Sequence, residues 1–154
     1  MPNTYTQLYV HCVFAVKFRK AVLDTSWDQR LRLYITATVQ NSGHKMIAIN
    51  NVFDHLHFFV GLNPNQSIST MMQLAKGDSS EWINKHKLTS SKFQWQGGYG
   101  AFSHSKSQID NVVKYIHNQQ EHHKTIAFLD EYLKMLVASG VDFNERYVFD
   151  PLIE

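Results

Sequence analysis

Apolar and polar positions change period several times along the chain, and each change marks an element. Residues 5–18 are rich in Tyr, Val and Phe and hold neither Gly nor Pro, which predicts a long strand ending at the basic cluster Lys17, Arg19, Lys20. Over residues 23–40 the period becomes helical, through Leu23, Trp27, Leu31, Tyr34, Ile35 and Thr38, and Asn41-Ser42-Gly43 supplies a stop. Residues 45–53 and 55–62 are two β-branched or aromatic runs split by Asp54 and closed by Asn63-Pro64-Asn65, which reads as two neighbouring strands. Residues 67–87 return to a helix through Ile68, Met71, Met72 and Ala75, with Gly77 a candidate break before Trp82 and Ile83. A strand over 93–102 follows, its glycines implying a bulge or a close backbone approach. Ser105, with Gln108 three residues on, has the form of a capping box and opens a helix to about residue 122. A last helix over 125–138 stops at Ser139-Gly140, and residues 141–154 read as irregular.

The order strand, helix, two strands, helix, strand, helix, helix suits an α+β fold: one mostly antiparallel, ferredoxin-like (RRM-like) sheet with helices on one face. With 154 residues the chain is expected to be a single domain, 1–154, long enough to bury a core. Hydrophobic residues at 44% and charged residues at 18% exclude a disordered chain. The single Cys12 excludes an intramolecular disulfide framework. No basic segment precedes an apolar run at the N-terminus, and no run approaches the length of a membrane span, so a cytoplasmic protein without a membrane partner is expected. The net charge is only +2, yet residues 1–124 carry 13 basic and 7 acidic side chains and residues 125–154 carry 2 and 6. A basic body with an acidic tail fits a polyanion-binding surface. Nine histidines are the unusual count.

Two of those histidines form a motif. In Asp54-His55-Leu56-His57-Phe58-Phe59-Val60, side chains two apart point to one face of a strand, so His55 and His57 project together while Leu56 and Phe58 enter the core. Two neutral imidazoles so placed can share a divalent ion. Two histidines on the polar face of an edge strand would give the same string.

The helix after Ser105 supplies the second feature. At about 100° per residue, Ile109, Val112, Val113 and Ile116 form one apolar face, while Tyr115 falls among Gln108, Asn118, Gln119 and His122 on the polar side. Tyr115 and Gln119 stand one turn apart and can reach one point in space. A phenol becomes a nucleophile when its target is polarised, and a divalent ion polarises a phosphodiester; a glutamine oxygen could be a further ligand. A half-exposed tyrosine lying along a helix is the plainer reading of the same residue.

Taken together, these strings resemble a known family. DHLHFFV resembles the histidine-hydrophobe-histidine (HUH) motif of the single-tyrosine transposases of the insertion-sequence 200/605 type, and VVKYIHNQQEHH resembles that family's nucleophile helix. FAVKFRKAVL is similar to its first strand and basic turn, KGDSSEWIN to its central helix, FQWQGGYGAFSHS to its last strand, and FLDEYLKML and FNERYVFD to its C-terminal segments.

The resemblance implies a transposase that mobilises an element through single-stranded DNA, recognising subterminal hairpins and cleaving and rejoining the strand. Tyr115 would be the nucleophile, forming a 5′-phosphotyrosine link and freeing a 3′-hydroxyl, and His55, His57 and Gln119 would be the metal ligands. Mg²⁺ is the ion implied, with Mn²⁺ a chemically reasonable substitute. Lys17, Arg19, Lys20, Lys76 and Lys85 are candidate DNA contacts, with Phe18 or Trp95 available to stack on a base. The resemblance also implies a homodimer, with active sites shared between subunits as one arrangement and sheet pairing expected at Gly97-Gly98, in a cytoplasmic, nucleoid-associated protein. His122 could support the site, whereas His11, His44, His86 and His104 read as surface or core residues. Two rival functions are a domesticated regulator that binds single strands without strand transfer, and a water-using phosphodiesterase that needs His55 and His57 but not Tyr115. Enzymes built on two separated His-x-Thr/Ser motifs are excluded, since His55-Leu56-His57 offers no such hydroxyl.

Overall fold

The computed structural model describes residues 3–124 and 126–143. Strands β1 (Tyr9–Ala15), β2 (Lys45–Asn51), β3 (His55–Gly61) and β4 (Gly100–His104) form one antiparallel sheet in the order β2-β3-β1-β4. With α1 (Asp28–Asn41) between β1 and β2, and α2 (Ile68–Lys85) between β3 and β4, this is the ferredoxin-like order expected. Three further helices follow: α3 (Ile109–His117), α4 (Gln119–His122) and α5 (Phe128–Ala138). Among the described residues no helix is long and apolar enough to cross a membrane.

Alternation along the two central strands decides what each face does. Val10, Cys12 and Phe14 of β1 and Leu56, Phe58 and Val60 of β3 point to one face, where Leu31, Ile35 and Val39 of α1 and Met71, Met72, Ala75 and Ile83 of α2 cover them. Tyr34 and Trp82 stack across the two helices with ring centroids 5.3 Å apart. Each large side chain buried here contributes roughly 1.5–3 kcal/mol relative to leaving it exposed.

Helices on one face were the sequence expectation, and the second face corrects it. Val13 and Ala15 of β1, Phe59 of β3 and Phe102 of β4 are also apolar and also buried, so this face too needs cover. The apolar stripe of α3 lays Val112 and Ile116 on Ala48 and Phe59, and α5 lays Phe128 and Leu136 on Val13, Ala15 and Phe102. The close approach of α5 explains one glycine: a Cβ on Gly100 would come within 2.8 Å of the Tyr132 ring.

Boundaries shift from the sequence expectations for local reasons. The β1 strand stops at Ala15, and residues 17–19 form a 3₁₀ turn in which Phe18 and Arg19 take positive φ values of 59° and 51°. The α1 helix starts at Asp28, not residue 23, because Asp24 folds the chain back first, accepting from Ser26 N at 2.8 Å while its carbonyl takes Trp27 N. The α2 helix runs unbroken through Gly77. The expected strand over 93–102 shrinks to β4, preceded by a loop with Gly98 at φ +86° and one isolated bridge from Trp95 to Val16. Gly97-Gly98 therefore lies in a loop rather than in a strand placed for pairing. The capping box does not form, since the Ser105 hydroxyl meets Ser107 Oγ at 2.9 Å instead of a helix N–H. The last helix begins at Phe128 and stops before Gly140 at φ +66°, as the Ser139-Gly140 signal implies. The FNERYVFD segment and the rest of the expected irregular tail beyond residue 143 lie outside the described residues.

Candidate active site

The site grows out of β3. Flanked by β1 and β2, this strand turns His55 and His57 toward the second face, where both are fully buried. Each ring is oriented through its Nδ1. His55 Nδ1 lies 2.7 Å from Asp54 Oδ1, and the ring stacks on Phe128 with centroids 3.7 Å apart. His57 Nδ1 lies 2.8 Å from Nε2 of His11, which reaches across from β1. A partner on Nδ1 fixes the ring and leaves Nε2 facing the interior of the site, the usual way a ligating imidazole is oriented.

Tyr115 and Gln119 arrive from above the sheet. Asn50 of β2 donates through Nδ2 to the Ile116 carbonyl at 2.9 Å, and Asn50 and Gln120 exchange side-chain hydrogen bonds at 2.9 Å, tying the end of α3 to the sheet. Between Tyr115 and Gln119 the helix breaks at Asn118 (φ −93°, ψ 15°). Gln119 is consequently fully buried rather than on a polar face, and its Oε1 lies 3.2 Å from His55 Nε2. The Tyr115 ring stands edge-on to His57 with centroids 5.8 Å apart.

Glu131 of α5 joins these groups. Its carboxylate accepts from the Tyr115 hydroxyl and, at 3.2 Å, from Gln119 Nε2. His57 and His123 place Nε2 atoms 3.2 and 3.1 Å from Oε1, His122 places Nε2 3.2 Å from Oε2, and His55 Nε2 is 3.5 Å from Oε1. Burial would raise the Glu131 carboxyl, but hydrogen bonds from His123, His55 and His57 outweigh it and hold the group far below the usual carboxylate range. Burial lowers His57 to about 4, against the pull of Glu131. His11 is lowered by burial and then by the neighbouring His57. For His55, burial alone would lower the value, and the hydrogen bonds to Asp54 and Glu131 reverse the sign and raise it. Burial first, then Glu131, push the Tyr115 phenol up, so it rests as a phenol and not a phenolate.

The arrangement fits a divalent ion. One nitrogen each from His55 and His57 and one Glu131 oxygen lie within 4.8 Å of one another, and His122, His123 and Glu131 make a second such group. Two imidazoles and a carboxylate are a common donor set for first-row divalent metals. That donor set on β3, with a tyrosine of α3 in the same cluster, accords with a family match over residues 4–119, described as transposase, IS200-like. The chain belongs to the IS200-like transposase family.

Relatives of this IS200-like transposase agree. The ISDra2 transposase TnpA of Deinococcus radiodurans is 25% identical over 121 residues, spanning 75% of this chain and 86% of the relative. Among solved structures, a crystal structure assigned as a transposase from Deinococcus radiodurans r1 superposes with a TM-score of 0.62 at 21% identity, covering 77% of this chain and 95% of that one. A REP-associated tyrosine transposase bound to a REP hairpin superposes with a TM-score of 0.62 at 16% identity, covering 100% and 93%. At these identities the two structures speak to the fold.

Of the residues singled out in sequence, the transposase brings His55, His57, Tyr115 and Gln119 into one cluster, with His122 at its rim. Sequence reasoning missed Glu131, His11 and His123. Glu131 carried a readable signal: in α5 it falls within the stripe Phe128, Tyr132, Met135, Leu136, where a charge has no reason to sit unless it has a partner. The basic candidates divide. Lys17, Arg19 and Lys20 crown the 3₁₀ turn after β1, and Val16 N donates to the Asp54 carbonyl at 2.9 Å, joining that turn to the site. Lys85 is exposed at the end of α2. Lys76 is occupied, donating to the Gln96 and Gly98 carbonyls at 2.6 and 2.7 Å, and burial lowers its ammonium. Trp95 is buried against Phe14 and Phe93 and donates to Ser79 Oγ at 2.9 Å, so stacking on a base is not its role here.

Proposed function

We propose that this transposase cleaves and rejoins single-stranded DNA at the ends of an insertion sequence, through a 5′-phosphotyrosine on Tyr115. The observation that carries the reading is the convergence, within one chain, of the Tyr115 hydroxyl with the His55–His57 pair and Gln119 around one buried point. His55, His57 and Gln119 would hold a divalent ion, and that ion would supply polarisation of the scissile phosphate and stabilisation of the charge developing on it. Tyr115 Oη attacks phosphorus and gives up its phenolic proton, a Tyr–O–P bond forms to the 5′ side, and the P–O bond to the other nucleotide breaks, its 3′-oxygen taking up a proton to leave as a 3′-hydroxyl. The new bond keeps phosphodiester energy, so a second 3′-hydroxyl reverses the step and joins strands without ATP.

Room for a strand exists on both sides of the cluster. A cleft of about 490 Å³ runs past Asp54, Lys124 and His123, and another of about 290 Å³ lies beside Tyr115, His11 and His104. Lys17, Arg19, Lys20 and Lys85 supply phosphate contacts. A relative bound to a REP hairpin supports hairpin recognition here. A homodimer would bring a second DNA end to the first, with the edge of β4, the last strand of the sheet among the described residues, as its pairing surface.

The test is covalent. Incubated with a divalent ion and single-stranded DNA from the ends of its element, the protein yields an adduct on a denaturing gel, and Tyr115→Phe removes it. Cleavage that persists in Tyr115→Phe would point to water as the nucleophile, and hairpin binding without cleavage would mark a regulator.

A further inference from the structure

Glu131 lies outside the HUH string, outside the tyrosine helix and beyond the residues of the family match. Its side chain is nonetheless 2% exposed at the centre of the cluster. A buried carboxylate needs cationic or hydrogen-bonding compensation. His55 cannot supply it as a neutral ring: with its Nδ1 proton donated to Asp54, it turns a lone pair toward Glu131, 3.5 Å away. Two buried lone pairs facing one another repel unless a proton or a metal ion lies between them, so this pair of atoms is built to hold positive charge.

We propose that Glu131 is the anionic ligand of the divalent-ion site, brought in by α5, and that this mixed nitrogen and oxygen donor set selects a transition-metal ion such as Mn²⁺ over Mg²⁺. The inference rests on the reading of His55 and His57 as ion ligands and extends it. Donors bonded to one ion at roughly 2.0–2.2 Å stand about 3.0–3.5 Å apart. Glu131 Oε1 stands 3.2 Å from His57 Nε2 and 3.5 Å from His55 Nε2. The oxygen facing the other way, Oε2, takes the Tyr115 hydroxyl, so one carboxylate sets the distance between nucleophile and ion site. Imidazole nitrogens bind transition-metal ions, Mn²⁺ least tightly among them, better than they bind Mg²⁺, which prefers oxygen and water. Docking of Phe128 and Leu136 against β1 and β4 therefore also completes the ion site.

The experiment is a Mn²⁺ titration of the metal-stripped full chain, followed by the electron paramagnetic resonance signal of free Mn²⁺, with Mg²⁺ as competitor. Thermal melts run first show that each variant is folded. The wild type binds Mn²⁺ more tightly than Mg²⁺. Glu131→Gln, nearly isosteric, weakens Mn²⁺ by roughly 10–100-fold, and Glu131→Asp, which keeps the charge, binds it better than Glu131→Gln. If Glu131→Gln holds Mn²⁺ like the wild type while His57→Ala does not, Glu131 is no ligand and the histidine reading stands. If neither variant changes Mn²⁺ affinity, the ion site itself is misplaced. Faster adduct formation in Glu131→Gln at unchanged Mn²⁺ affinity would also overturn the proposal, by showing that the carboxylate merely fills the place of the phosphate.

Discussion

The two faces of the sheet are drawn from the same strands and do opposite things. On one, Leu56, Phe58 and Val60 meet α1 and α2 in an apolar core. On the other, His55 and His57, one residue out of phase, meet Tyr115, Gln119 and Glu131 from three later helices. Both are buried, so burial does not separate them; chemistry does. The first face is held by dispersion and the hydrophobic effect, which tolerate similar shapes. The second adds to its own apolar packing a set of hydrogen bonds between titratable groups, where every member needs its partner. A period of two lets one strand serve both, because a substitution on one face leaves side chains on the other in place.

The largest expected effect comes from the apolar face. Phe58→Ala costs about 3–5 kcal/mol of stability, read by chemical denaturation. The variant still forms the DNA adduct at temperatures where it remains folded, because the histidine-bearing face is untouched. A loss of adduct in folded Phe58→Ala would show that the faces are not separable. The mirror experiment is His57→Ala, in which adduct formation falls by roughly 10²–10³-fold or more while circular dichroism reports a folded protein. Loss of folding in that variant would assign His57 to the scaffold.

Acidity sharpens the same contrast. His57, at about 4 in the fold, and His11, also lowered, are neutral in the native state and protonated in the unfolded chain near pH 5. The unfolded state then binds more protons, so metal-free stability is full above about 6.5 and declines as the pH falls toward 4. His55 is raised and works the other way: its contribution is present below the unfolded value and fades as pH rises through the folded one. Denaturation at pH 7 and pH 5 with chelator present should show a net loss at pH 5 that shrinks in His57→Gln. An unchanged loss in that variant would remove His57 from the explanation.

Smaller effects separate the lysines. Lys20→Ala and Lys85→Ala each reduce the salt dependence of single-strand binding by about 0.7 for every phosphate left without its cation. Lys76→Met leaves that slope unchanged, because its ammonium already holds the Gln96 and Gly98 carbonyls. A fall in slope for Lys76→Met would show that it releases the loop to meet DNA.

The apolar face was legible in the sequence, and so was half of the other. Alternation in β3 and spacing in α1 and α2 need only local periodicity, and His55, His57, Tyr115 and Gln119 share patterns no longer than one helical turn. Glu131 could not be placed the same way. It stands 74 positions from His57, and the two meet only because α5 folds back over β1 and β4. His11, 46 positions from His57, read as a core or surface residue because a histidine between Val10 and Cys12 does not announce which ring it meets across the sheet. Cover on the second face was missed for a related reason: the alternation shows that Val13, Ala15 and Phe59 point away from the core, but not that later helices return to bury them.

The catalytic claim for the second face is tested most directly by mass spectrometry of the protein after reaction with single-stranded DNA from its own element's end. A nucleotide attached through its 5′-phosphate to the peptide carrying Tyr115, and absent from Tyr115→Phe, is the expected result. Cleaved DNA with no modified peptide, or a modification on any other residue, would contradict it.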